Sequence, residues 1–222
     1  MQEKKEVVVK CDCEAKTESR MWADATPAGL VALAVACLCY FALLTGLIEG
    51  ERSYLFMGGW LLGGFLIQFI VAMIDLKNKN FGGGNTFLYF SGFFMLNGAI
   101  ARFIQGGAIG GGYVELSPLI NGFAWIALAI AFLLWTPIFF KSAGQLFLLV
   151  LVLNVAFPFM ILRNFGVGIE SGAFEVFGWI SGICLVVCAF LGLWLASATI
   201  VNKAFGRQIY PTLKPFYKEK KK

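Results

Sequence analysis

The sequence predicts an all-α integral membrane protein with six transmembrane helices and both termini in the cytoplasm. Three observations lead there. Hydrophobic residues make up 59% of the 222-residue chain and charged residues only 14%, where soluble domains carry roughly 25% charged residues. The apolar residues fall into six long runs, and the basic residues crowd onto one side of the map those runs define. A chain of this length with 23 phenylalanines carries more apolar surface than its own core can hide, so lipid is the solvent for most of it.

A bilayer core of about 30 Å takes about 20 helical residues to cross. The first run, Ala28 to Ile48, is uncharged, and the second, Tyr54 to Ile74, holds Gln68 as its one strongly polar residue. The third, Thr86 to Ile104, contains Asn97 and Arg102, and the fourth, Leu119 to Phe140, contains Asn121 and Pro137. The fifth, Ser142 to Leu162, contains Gln145, Asn154 and Pro158, and the sixth, Val176 to Val201, is uncharged. The runs are continuous rather than alternating, and open sheet edges find no hydrogen-bond partners in lipid, so helices rather than strands are expected. The expected organisation is an N-terminal tail over 1–25, a six-helix transmembrane domain over 26–201 and a basic tail over 202–222.

Of the 18 lysines and arginines, only Arg52, Arg102 and Arg163 fall on one side of this map; the others lie in the two tails and in the loops holding Lys77, Lys79 and Lys141. Positive segments stay in the cytoplasm, which puts both tails there and predicts a multi-pass protein of the plasma membrane. The net charge of +5 is spread over tails and loops, so no nucleic-acid partner is expected. Membrane lipid is, with the Lys-rich C-terminus near anionic headgroups.

The chain has no histidine, which removes His-ligated haem, His proton relays and Ser-His or Cys-His catalysis. Cys11 and Cys13 lack a second ligand pair and read as plain tail residues, not a metal site. Cys37, Cys39, Cys184 and Cys188 read as small packing residues. No metal, no cofactor and no enzymatic activity are expected.

Three groups of residues are candidates for function. The first helix opens with Asp24-Ala25-Thr26-Pro27-Ala28-Gly29-Leu30. Pro27 suits a first helical turn, where its missing N–H costs nothing, and Asp24 or Thr26 can cap the free amides. The segment is either an ordinary helix start or an anion-attracting N-terminus. Before the third run stands Asn80-Phe81-Gly82-Gly83-Gly84-Asn85-Thr86. Three glycines disfavour a helix, so the expectation is an extended segment leading into a half-helix within the membrane, or else a flexible loop. The third group is the amides Gln68, Asn97, Asn121 and Asn154, which lipid cannot satisfy and which must turn to the bundle interior. Pro158 deprives the Asn154 carbonyl of its helical partner, and Pro137 does the same to Leu133. Gly59-x-x-x-Gly63 and Gly178-x-x-x-Gly182 allow close helix approach, within or between subunits.

These residues resemble the acetate uptake transporters of the succinate–acetate permease type. The resemblance rests on Gly178-Trp179-Ile180 with Cys184, on Asn202-x-x-Phe205-Gly206-Arg207-x-x-x-Pro211, on Gly63-Gly64 with Gln68, and on Gly84-x-Thr86 followed by Ser91-Gly92. The family's Asn-Pro-Ala-Pro-Leu-Gly-Leu signature survives here as Pro27, Gly29 and Leu30, with Asp24 in place of the Asn. The resemblance implies a six-helix protomer in a ring-like hexamer, with a path through each protomer for small monocarboxylates such as acetate, and for succinate as a larger candidate. The residues expected to carry the anion are Thr26, Pro27 and Gly29 at one site, with Thr86, Asn97 and Asn154 along the path. A constriction of Phe, Tyr and Leu in the family corresponds to Leu33, Ser91 and Leu153 here, wider or more polar than usual. Proton coupling would draw on Asp24 and Glu175. Two other classes remain open: a pore for small neutral solutes, and a non-transporting assembly or sensor subunit whose tails are the functional parts.

Overall fold

A computed structural model describes residues 22–111, 117 and 119–217. Cys11, Cys13 and most of the N-terminal tail lie outside the described residues, as do the last lysines. The described residues are all-helical. They form α1 (Thr26–Leu44), α2 (Gly50–Lys77), α3 (Phe81–Tyr89), a π-helical segment (Phe90–Leu96), α4 (Asn97–Gly111), α5 (Leu119–Trp135), a 3₁₀ segment (Thr136–Lys141), α6 (Gly144–Asn164) and α7 (Ala173–Phe205). The α3, π and α4 pieces are continuous, so the seven α-helices make six segments long and apolar enough to cross a membrane.

The helices run alternately up and down, which brings the start of α1 and the end of α7 to the same end of the bundle. This is the termini end below; the other is the far end. α1 packs most extensively on α7, which also packs on α6; α2 packs on α1, α3 and α4, and α5 on α6. Small residues make the α1–α7 contact close. A Cβ at Gly182 would stand 2.9 Å from Thr45 Cγ2, and one at Gly178 would run into Leu44 O and the Arg163 guanidinium. The Gly178/Gly182 pair therefore serves packing within the protomer, by van der Waals approach rather than by hydrophobic force. Gly59 and Gly63 face open space. α7, at 33 residues, is about 50 Å long and outruns the bilayer core. Gly172 (φ 75°) and Gly206 (φ 62°) bracket it in the left-handed conformation, which glycine adopts without a Cβ penalty.

The triple glycine differs from the expectation. Gly82, Gly83 and Gly84 lie inside α3, with no extended segment or loop among them. The Asn80 side chain caps the helix by accepting from Gly83 N at 3.1 Å, and tight neighbours explain the missing side chains. A Cβ on Gly84 would sit 2.6 Å from Leu76 Cγ, and one on Gly82 2.6 Å from Ile138 Cγ2. Propensity yields to packing here.

Beyond Gly206 the chain folds back onto the termini end. Asn202 Oδ1 accepts from Ile209 N and Tyr210 N, its Nδ2 donates to Tyr210 O, and Trp194 Nε1 donates to Pro211 O. Leu213 N donates to Gln145 Oε1 at 2.8 Å, and Gly144 N donates to Leu213 O at 3.0 Å. Phe216 packs edge-on against Phe147, ring centroids 5.1 Å apart. Residues 207–217 thus form a strap over the start of α6.

Candidate functional site: two cavities separated by an aromatic ring

The bundle holds a cavity toward each end. The one at the termini end, about 310 Å³, is lined by Thr26, Leu30 and Leu33 of α1, by Asn80, Gly82, Gly83, Thr86 and Phe87 at the start of α3, and by Lys141, Ser142 and Leu146 around the start of α6. Three helix N-termini thus meet at one space. Each carries roughly half a positive charge, although Asp24, Asn80 and Leu213 O engage one early amide of each in turn, and Lys141 adds a basic side chain. Among the described residues no acidic side chain lines it.

One carboxylate stands directly behind this wall. Asp75 is 3% exposed, accepts from Asn80 Nδ2 at 3.0 Å and is hydrogen-bonded by Thr26, with Asp24 nearby. Asp24 itself is exposed and its Oδ1 accepts from Thr26 N at 3.0 Å.

The far-end cavity, about 170 Å³, is lined by Tyr40, Leu43 and Leu44 of α1, Phe93, Phe94, Asn97, Gly98, Ala101 and Arg102 on the third span, Asn121 and Trp125 of α5, and Met160, Arg163 and Asn164 of α6. Among the described residues it too has no acidic lining side chain.

Between the two lies a closed circuit of five aromatic side chains. Phe94 meets Phe90 (ring centroids 5.9 Å), Phe90 meets Phe132 (5.3 Å), Phe132 meets Phe157 (5.5 Å), Phe157 meets Trp125 (5.5 Å), and Trp125 returns to Phe94 (6.0 Å). Phe90 and Phe132 face the first cavity, and Phe94 and Trp125 the second. Most of the contacts are edge-to-face, the arrangement that aligns a ring's positive edge with its neighbour's negative face. The π segment presents both Phe90 and Phe94: Asn97 N bonds Gly92 O, five residues back, which shifts the helical register there. Tyr89 braces the ring, stacking on Phe132 at 5.7 Å while its hydroxyl donates to Leu128 O at 3.0 Å.

The residues singled out in the sequence distribute unevenly over this geometry. Thr26, Leu33 and Thr86 line the termini-end cavity, and Asn97 lines the far one with Asn121. Pro27 and Gly29 are buried behind the cavity wall. Gly29 O accepts from Gln68 Nε2 at 3.2 Å, and a Cβ at Gly29 would strike the Phe87 ring at 2.5 Å, so this glycine is where α1, α2 and α3 converge. Asn154 lines neither cavity; its Nδ2 donates to Thr136 Oγ1 at 2.7 Å, and Thr136 Oγ1 donates to Phe132 O at 3.1 Å. Asn154 therefore supports the backbone under Phe132. Ser91 turns back onto its own helix, donating to Leu88 O at 2.8 Å. Leu153 is 1% exposed in the core. Glu175 sits at the far end beside Arg163, a full span away from Asp24.

Sequence reasoning passed over the aromatic ring, Asp75 and the cavity role of Lys141. Asp75 was detectable as an acid one residue beyond the second apolar run. The ring was not, because a phenylalanine facing a path and one facing a core look alike in an apolar run.

No curated protein matches the chain. Among solved structures, the bacterial acetate channel SatP shares its fold with a TM-score of 0.70 at 19% identity, over 86% of this chain and 98% of that one. The model of the GPR1/FUN34/yaaH family matches residues 9–215, nearly the whole chain. The six spans, their alternation and that match agree, and the chain belongs to the GPR1/FUN34/yaaH family of multi-pass membrane proteins.

Proposed function

We propose that this protein is a membrane transporter or channel for small carboxylate anions such as acetate, with succinate as a larger candidate. The observation that carries the reading is the pairing of two cavities, each with basic side chains and no acidic side chain among its described lining residues, on either side of one aromatic ring. An anion entering either cavity meets helix N-termini or basic side chains, and what separates the two is an apolar layer of aromatic side chains, Phe90 and Phe132 on one face and Phe94 and Trp125 on the other. Family membership and the shared fold with an acetate channel favour the same substrate class.

In this reading Thr26, Thr86 and Lys141 receive the anion at the termini end, and Asn97 receives it at the far end. Phe90, Phe94, Trp125, Phe132 and Phe157 form the barrier, with Leu33 and Leu153 packed around it. The termini lie in the cytoplasm of a plasma-membrane protein, following the distribution of basic residues. Protomers assemble through the open face of α2 at Gly59 and Gly63, in the hexamer that the family resemblance implies. If protons accompany the anion, Asp75 joins Asp24 and Glu175 as a candidate carrier, because it alone of the three is buried beside a cavity.

The test is uptake of radiolabelled acetate into proteoliposomes, with and without an imposed pH gradient. Concentrative uptake that needs the gradient means proton-coupled transport, and equilibrating uptake without it means a passive anion path. No uptake by well-folded protein removes acetate as the substrate.

A further inference from the structure

The far-end cavity contains two arginines, Arg102 and Arg163, from different spans. A guanidinium in a membrane protein is expensive to hold and normally pairs with an acid or reaches for the headgroups. Neither pairs here. Among the described residues the one ion pair is Arg52 with Glu49, and the cavity lining holds no acid. Glu175 acts on Arg163 from an adjoining pocket without closing to an ion pair.

Both guanidiniums are held in place by neutral partners. Arg163 Nη1 donates to Leu44 O and to Phe174 O, each at 3.1 Å, and its guanidinium lies 4.0 Å from the centroid of the Phe174 ring. Arg102 Nη1 donates to Gln105 Oε1 at 2.5 Å, and its guanidinium lies 5.0 Å from the Tyr54 ring and 6.0 Å from Tyr40. Arg102 Nε is buried with no acceptor at all. A buried charged donor favours an acceptor beside it. Two like charges brought to one small cavity, fixed by carbonyls and aromatic faces, suit an anionic guest. Around them are Asn97, Asn121 and Asn164, whose amides can donate to the same guest.

We propose that this cavity is a carboxylate-binding site, in which Arg102 and Arg163 hold the carboxylate oxygens through charge-assisted hydrogen bonds before the anion meets the aromatic ring. The inference rests on the carboxylate reading given above and deepens it. A planar fork of N–H donors suits a two-oxygen carboxylate better than a spherical halide, so the site selects acetate over chloride.

Two measurements test it on the purified full-length protein. The first is the acetate-specific rise in unfolding temperature, taken against equal chloride at constant ionic strength; a ligand that binds only the native state must produce one. The second is the acetate concentration that half-saturates flux in proteoliposomes. Wild type should show the rise. Arg102→Gln should abolish it and raise the half-saturating concentration about ten- to hundredfold, while Arg102→Lys should restore part of both. Arg163→Gln should act similarly, but Arg163 also ties α1 to α7, so Arg102→Gln is the decisive variant. A folded Arg102→Gln protein that keeps the acetate-specific rise and the wild-type half-saturation overturns the site, even if acetate is transported. A wild type that carries no acetate yet shows an Arg102-dependent rise keeps the site and overturns the transport reading instead.

Discussion

Phe132 is the side chain on which the barrier reading stands or falls. It is fully buried and meets four aromatic neighbours: Tyr89, Phe90, Phe139 and Phe157. Phe132→Ala removes one wall of the ring and leaves space on the face of the 310 Å³ cavity. The missing ring leaves room for at least one water, whose share of liquid volume is about 30 Å³. A carboxylate crossing the intact ring must give up its water, and stripping a charge of solvent costs several kcal/mol. One retained water gives back a hydrogen bond to a charged group, worth about 1.5–3 kcal/mol. If that term sits in the barrier, acetate flux rises about ten- to hundredfold. The same substitution should cost about 3–5 kcal/mol of stability, so variants are compared only where size exclusion and thermal unfolding show a folded protein, and Phe132→Leu supplies a milder step. Flux is measured in proteoliposomes at matched protein density. Equal flux in folded Phe132→Ala and wild type would refute the reasoning, since conduction would then bypass the ring.

Three further outcomes follow from the packing. Leu153→Ala, in the same buried core as the ring but outside both cavities, should change the rate or the acid selectivity of transport; unchanged flux of every acid tested removes it from the barrier. Gly84→Ala should destabilise the protein by about 1–3 kcal/mol, because the new Cβ would stand 3.0 Å from Leu76 N as well as against its side chain, and thermal unfolding in detergent reads this directly. Asn202→Ala deletes three hydrogen bonds to Ile209 and Tyr210 and should free residues 207–217, seen as faster amide exchange there with little change in α1 or α2.

The six spans were legible because their signal is redundant: each run supplies some twenty votes for lipid, and an error of a few residues at an end changes nothing. The glycines show the opposite case. Gly82 to Gly84 read locally as a helix breaker, and only the approach of Leu76 and Ile138 explains why they stay helical. The candidate site was legible where it coincides with polar residues at helix starts, as at Thr26 and Thr86. It was hidden where it is made of residues that also build cores. Asn154 illustrates the middle ground. Its polarity marked it as inward-facing, but whether it faces a path or a neighbouring helix depends on Thr136, eighteen residues away, a pairing that spacing within one run cannot reveal.

The strap over α6 has a consequence for biosynthesis. The first amide of α6 finds its acceptor in Leu213 O, and Gln145 of the same turn holds Leu213 N. α6 enters the membrane about seventy residues before that partner is made; at roughly 5–20 residues per second, its base stays open for several seconds while α7 is synthesised. The termini-end cavity, whose wall includes that base, is therefore the last part of the protomer to close. Chains stalled through a C-terminal linker that brings residue 206, but not residues 207–217, out of the exit tunnel should carry all six helices inserted yet remain accessible to a water-soluble thiol reagent at a cysteine placed at Ser142, and lose that accessibility once a longer linker lets residue 217 leave the tunnel.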